Sequence, residues 1–107
     1  MSDIKHLKES DFDDFIEKGH SVIDFYADWC NPCMIMAPHF EKVAGMLKGK
    51  VKFAKVDIEA EGDLAQRFDV MSIPTTIFFS DGEMVDRVTG AMSASDIEKR
   101  TKANFKI

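Results

Sequence analysis

Val22-Ile23-Asp24-Phe25-Tyr26-Ala27-Asp28-Trp29-Cys30-Asn31-Pro32-Cys33 is the stretch from which the rest of the chain can be read. Its first six residues are apolar at nearly every position, which predicts a strand covered on both faces, as in a mainly parallel sheet. Asp24 is the one intruder. Beyond Trp29, the residues Cys33, Met36, Ala37, Phe40, Ala44 and Leu47 recur at helical spacing as far as Gly49. The cysteines therefore fall where a strand gives way to a helix, with Cys30 at the helix's N-terminal end. Pro38 lies inside the pattern and is expected to kink it.

The flanking sequence continues the alternation. Upstream, Ser10 followed by Asp13 reads as a capped helix start, with Phe12, Phe15 and Ile16 on one face and Gly19 as the stop. Downstream, residues 51 to 58 alternate apolar and polar as a strand does, before a short helix containing Leu64, Ala65 and Phe68. Thr75-Thr76-Ile77-Phe78-Phe79 is β-branched and aromatic, and Asp81-Gly82 signals a hairpin into Met84 to Thr89, so the last two strands are expected to be antiparallel. Ser93 and Asp96 cap a final helix on which Ile97, Thr101 and Phe105 form only a weak apolar stripe.

No linker, repeat or low-complexity tract interrupts this order, and 107 residues suffice for one hydrophobic core. The expectation is a single α/β domain over residues 1–107. A net charge of −5 and a pI near 5.1 argue against nucleic-acid or anionic-membrane partners. Lys48, Lys50 and Lys52 read as a solvated turn. The N-terminus, Met1-Ser2-Asp3-Ile4-Lys5-His6, has no apolar leader-like core, and no run is long and apolar enough to span a bilayer. A soluble, cytoplasmic monomer is expected.

The chain has two cysteines, three positions apart, so a disulfide between them closes a loop too small to stabilise the fold by much. In reducing surroundings such a pair is a redox couple, a metal half-site or an inert core pair. Metal binding lacks ligands: His6, His20 and His39 stand at no recognised spacing. At a helix start the first sulfur meets free backbone N–H groups and the positive end of the macrodipole, which favours thiolate. Cys30 is thus expected to be the nucleophile, with a pKa below that of a free cysteine, and Cys33 to resolve the mixed disulfide.

A carboxylate inside a buried strand is costly and should carry a raised pKa. Asp24 can then serve as the proton acceptor for Cys33, or it can be a structural carboxylate paired with Lys55 or exposed at an edge. Ile73-Pro74 precedes a strand, where a turn or a cis bond are both open readings.

From Phe12 to the final helix, the order and spacing of these motifs resemble the thioredoxins. The residues that carry the resemblance are the segment Val22 to Cys33, Pro38, Phe53-Ala54-Lys55-Val56-Asp57, Ile73-Pro74-Thr75, Gly82 and Gly90. The resemblance implies a thioredoxin fold, a central mixed sheet of about five strands flanked by four helices, with Cys30 exposed and Cys33 shielded. It implies a protein-disulfide reductase without cofactor or metal, recharged by thioredoxin reductase or a similar dithiol donor. Asp24 and Lys55 match the family's buried proton-transfer pair, and Ile73-Pro74 its cis-proline loop. Trp29, Asn31, Pro32, Ile73, Pro74, Gly90 and Ala91 match the positions that meet substrate.

Three residues depart from the family's habit. Asn31 stands where glycine is usual, Tyr26 where tryptophan is common, and Met34 where lysine or arginine often lies, which removes a cation near the thiolates. The resemblance places the segments holding Met34, Met71 and Met92 around the cysteines, where they are an adaptable apolar collar or ordinary core filling.

Overall fold

The computed structural model of the protein describes residues 4–107. The reading of Met1 to Asp3 as part of an unexported start lies outside them. Strands and helices alternate as β1 (Lys5–His6), α1 (Glu9–Ile16), β2 (His20–Tyr26), α2 (Asn31–Met46), β3 (Lys52–Asp57), α3 (Gly62–Arg67), β4 (Thr75–Ser80), β5 (Glu83–Thr89) and α4 (Ala94–Phe105). The five strands form one mixed sheet in the order β1-β3-β2-β4-β5. β3 runs parallel to both β1 and β2, whereas β4 is antiparallel to β2 and to β5.

β2 is central, and every residue of it after His20 is buried, as its continuous apolar run predicted. Because side chains alternate across a strand, it feeds two cores. Ile23 and Phe25 pack with Ala54, Val56, Ile77 and Phe79 against Phe12 and Ile16 of α1 and Leu64 of α3. Val22 packs with Phe53 and Phe78 against Met36, Phe40 and Val43 of α2 and Ile97 and Phe105 of α4.

Four local expectations need correction. α1 begins at Glu9, with Lys8 rather than Ser10 as N-cap: Lys8 is extended (φ −98°, ψ 164°) and its N–H donates to Asp11 Oδ2 at 3.2 Å. β3 is not alternately wet, because Phe53, Ala54, Lys55 and Val56 are all buried between neighbouring strands. Lys52 belongs to β3 instead of a turn, and its ammonium donates to the Phe15 carbonyl. The weak stripe of α4 is fully seated: Ile97, Thr101 and Phe105 are buried, and Thr101 hides its hydroxyl by donating to the Ile97 carbonyl at 2.6 Å. The Ser93 cap is as read, its hydroxyl accepting from Asp96 N–H at 3.1 Å.

The β4–β5 hairpin closes on Asp81 and Gly82, with φ of 48° and 88°, the left-handed pair that a two-residue turn needs. It is tied to the end of α1: Asp81 N–H donates to the Gly19 carbonyl, and Gly19 N–H to Asp81 Oδ1.

Candidate active site

β2 ends at Tyr26, and α2 begins five residues later at Asn31. Cys30 is the N-cap of α2, extended at φ −88° and ψ 109°, and Pro32 occupies the first turn, where its missing N–H costs nothing. The chain thereby aims a free helix N–H at sulfur: Cys33 N–H donates to Cys30 Sγ at 3.2 Å. The two cysteines are joined in a disulfide with Cα atoms 5.3 Å apart. Charge on Cys30 Sγ after reduction would meet that N–H and the positive end of a sixteen-residue helix. The first turn of α2 contributes no acidic side chain to oppose it.

Cys33 is 1% exposed, as expected of a shielded partner, but Cys30 keeps only 5%, so the expectation of an exposed Cys30 is corrected. Its sulfur is bonded inward to Cys33 and lies 3.8 Å from the Ile73 carbonyl oxygen, while Tyr26, Ala27, Ile58 and Ile73 close around the pair.

The Ile73-Pro74 bond is cis. Pro74 is itself buried, so of the residues read as an apolar docking surface it contributes backbone rather than side-chain area. Its carbonyl accepts from Gly90 N–H at 2.8 Å, which ties Gly90 (φ 107°) and Ala91 to the same edge of the site. The exposed apolar surface comes from Trp29, 67% exposed, with Met34, Ile35 and Met71. Asn31 and Pro32 are exposed on the first turn of α2. Trp29 is steadied by its indole N–H, which donates to Glu59 Oε1 at 3.1 Å. Met34 and Met71 are therefore surface residues, whereas Met92 packs half-buried against the α2/α4 core and its N–H reaches Met36 Sδ.

Asp24 is fully buried, and neither of its oxygens has a hydrogen-bond partner among the described residues. Among the described residues its charged neighbour is Lys55, Nζ 4.0 Å from Oδ2 and also buried. Burial pushes the Asp24 pKa up to about 7, with the Lys55 ammonium opposing the rise. A carboxyl poised there exchanges protons readily at neutral pH.

Sequence reasoning missed three residues of this neighbourhood. His6 lies on β1, which two polar residues do not announce; its Nδ1 is 3.0 Å from the Tyr26 hydroxyl. Thr76 faces Asp24 across β2 and β4, and its buried hydroxyl is also without a partner among the described residues. Glu59 follows Asp57 in an otherwise unmarked acidic loop.

A strand-to-helix junction that holds a reversible disulfide at a helix N-terminus, beside a cis-proline loop, defines the class of thiol–disulfide oxidoreductases. Comparison with known proteins gives the family. Residues 3–103 match the family model described as Thioredoxin. The chain is 46% identical over 87 residues to a thioredoxin of Staphylococcus saprophyticus, covering 81% of this chain and 84% of the relative. It is 41% identical over the same length to a thioredoxin of Staphylococcus aureus, with the same coverage. It also superposes, at a TM-score of 0.86 and 32% identity, on a chain from a structural study of the thiol resolving mechanism of a yeast mitochondrial 1-Cys peroxiredoxin via glutathione/thioredoxin systems, covering 94% of this chain and 95% of that one. The chain belongs to the thioredoxin family, and it is a thiol–disulfide oxidoreductase with a redox-active cysteine pair. Membership of the family carries thioredoxin reductase and disulfide substrates as its general partners. Among the described residues no helix is long and apolar enough to cross a membrane.

Proposed function

We propose that this chain reduces disulfides in other proteins as a single cytoplasmic thioredoxin domain over residues 1–107, working as a monomer. The Cys30 thiolate attacks one sulfur of a substrate disulfide, expelling the other as a thiolate that takes up a proton, and leaves Cys30 in a mixed disulfide. Cys33, deprotonated with Asp24 as acceptor, then attacks Cys30 Sγ. The Cys30–Cys33 disulfide forms and the second substrate sulfur departs as thiolate. Two electrons pass to the substrate. Thioredoxin reductase or a similar dithiol donor returns them and closes the cycle.

The observation that carries the role assignment is the Cys33 N–H donated to Cys30 Sγ at a helix N-cap, which stabilises negative charge on the first sulfur and not on the second. In this reading Trp29, Asn31, Pro32, Ile73, Gly90 and Ala91 are the residues that meet substrate, and the backbone beside Pro74 pairs with an extended substrate segment. Lys55 keeps the Asp24 carboxylate accessible near neutral pH.

Competitive alkylation of the reduced protein, read by peptide mass spectrometry at pH 7, tests the assignment. Cys30 is expected to label first; faster labelling of Cys33 would reverse the two roles.

A further inference from the structure

The sheet row that holds Asp24 and Lys55 extends further. His6 pairs with Lys55 between β1 and β3, and Lys55 with Asp24 between β3 and β2, so three strands turn titratable side chains to one face. Tyr26, two residues beyond Asp24, is turned the same way. Its ring lies beneath the Lys55 ammonium, with Nζ 4.5 Å from the ring centroid. The Tyr26 hydroxyl meets His6 Nδ1 at 3.0 Å, and the two rings pack edge to face at 5.8 Å. Asp24 offers Lys55 an ion contact at 4.0 Å but no hydrogen bond. A four-carbon side chain is not held in place by such a contact alone, because the ammonium has free rotations about its stem.

We propose that Tyr26 is a positioning residue for the proton-transfer pair: its ring face holds the Lys55 ammonium beside Asp24, and its bond to His6 fixes the ring. The proposal rests on the reading of Asp24 as proton acceptor for Cys33. It assigns a task to a position where this chain departs from the tryptophan common in the family, and to an exposed histidine outside the cysteine site.

The electrostatic consequence has a definite sign. A cation beside Asp24 favours its ionised form, so an ammonium that drifts away raises the proton affinity of the carboxyl. The other groups facing this cluster do not replace it. Asp57 and Asp28 are negative and act on the Tyr26 phenol, whose pKa burial and these charges push up to about 12. β4 and β5 bring Thr76 and Val88 into the row, α4 turns Ile97, Thr101 and Phe105 inward, and the first turn of α2 brings Cys33 and no charge. Tyr26 therefore stays a neutral π surface across the working range and acts on Asp24 through Lys55.

The direct test is a pH titration of the Asp24 carboxyl carbon by NMR in the oxidised protein, where neither cysteine titrates, with Asp24→Asn identifying the signal. The wild-type midpoint is expected near 7. Tyr26→Leu should raise it by about one unit, a tenfold gain in proton affinity. Tyr26→Phe and His6→Ala, which keep the ring but free it, should raise it less, and Tyr26→Trp should restore the wild-type value. A folded Tyr26→Leu protein with an unmoved midpoint overturns the proposal. Should that variant not fold, unmoved midpoints in both Tyr26→Phe and His6→Ala overturn it equally. Single-turnover resolution of a mixed disulfide separates this from the parent reading. If Asp24→Asn leaves resolution unchanged, the proton-acceptor role falls. If Asp24→Asn slows resolution while Tyr26→Leu leaves its pH profile in place, only the role of Tyr26 falls.

Discussion

On the α1/α3 side of the sheet, Phe12, Phe25, Phe68 and Phe79 interlock with ring centroids 5.2 to 6.5 Å apart over a bed of Ile23, Ala54, Val56 and Ile77. On the α2/α4 side, the sheet presents the row His6, Lys55, Asp24 and Thr76. Three buried polar atoms in that row, both oxygens of Asp24 and the hydroxyl of Thr76, have no hydrogen-bond partner among the described residues. The aromatic side carries a single such atom, Ser21 Oγ. Unpaired buried polar groups cost stability. Both faces carry a packed core, and the α2/α4 face in addition keeps a proton site without hydrogen-bond partners among the described residues.

The largest effect that separates the faces is chemical. Cys33→Ser should bring steady turnover of a protein disulfide down to background while a mixed disulfide accumulates on Cys30, visible as an intact adduct by mass spectrometry. Phe12→Ala, on the other face, should leave the chemistry of the folded protein untouched yet cost about 3–5 kcal/mol in urea unfolding, because a fully buried ring is replaced by a cavity. That cost should be the same at pH 5 and pH 8. A Phe12→Ala protein that loses its resolution rate while folded would show that the two faces are not separable.

Asp24→Asn should do the opposite to stability. The folded pKa near 7 lies above the unfolded value of 3.8, so the folded state holds a proton that the unfolded state releases as pH rises. Below the unfolded value the buried carboxyl carries no ionisation penalty; the penalty grows through the window from about 4 to about 7 and is complete above it. The asparagine variant should therefore gain up to about 4 kcal/mol relative to wild type at pH 8, less what Lys55 loses with its partner, and the gain should vanish by pH 4. A constant difference across that range would mean that Asp24 does not titrate where burial puts it.

What the sequence revealed of these faces follows from which signals are local. β2 and α2 were legible because a continuous apolar run and a 3.6-residue period are printed in the chain itself, and the cysteines sit at their junction. The hairpin was legible from Asp81-Gly82. β1 was not, since Lys5 and His6 become a strand solely by pairing with Ala54 and Lys55 fifty residues away. The contact of His6 with Tyr26 was hidden with it. The burial of Lys55 was legible through the resemblance alone, because the local alternation of β3 does not show it; it comes from the strands on either side and from Asp24 on β2. Ser10 is the better capping residue by type, but the extended backbone at Lys8 and the reach of the Asp11 carboxylate decide the start of α1. The exposure of Cys30 was misjudged because its burial comes from Ile73 and Ile58, elements remote in sequence.

The finest test of the comparison is Thr76→Val. The two side chains are nearly the same shape, so the change removes a hydroxyl and leaves the packing of β4 against β2 in place. If the Thr76 hydroxyl is unpaired in the folded protein, valine should stabilise it by about 1 kcal/mol in urea unfolding, since the hydroxyl is better hydrated in the unfolded chain. Because Thr76 sits directly across from Asp24, the same variant also reads the proton site. A hydroxyl that donates to the carboxylate would favour its ionised form, and its loss would then raise the Asp24 midpoint and destabilise the protein. Stabilisation with an unmoved midpoint is the expected result. It would mean that the Thr76 hydroxyl does not tune Asp24, whose proton affinity is then set by burial and by Lys55 on the β1 side of the row.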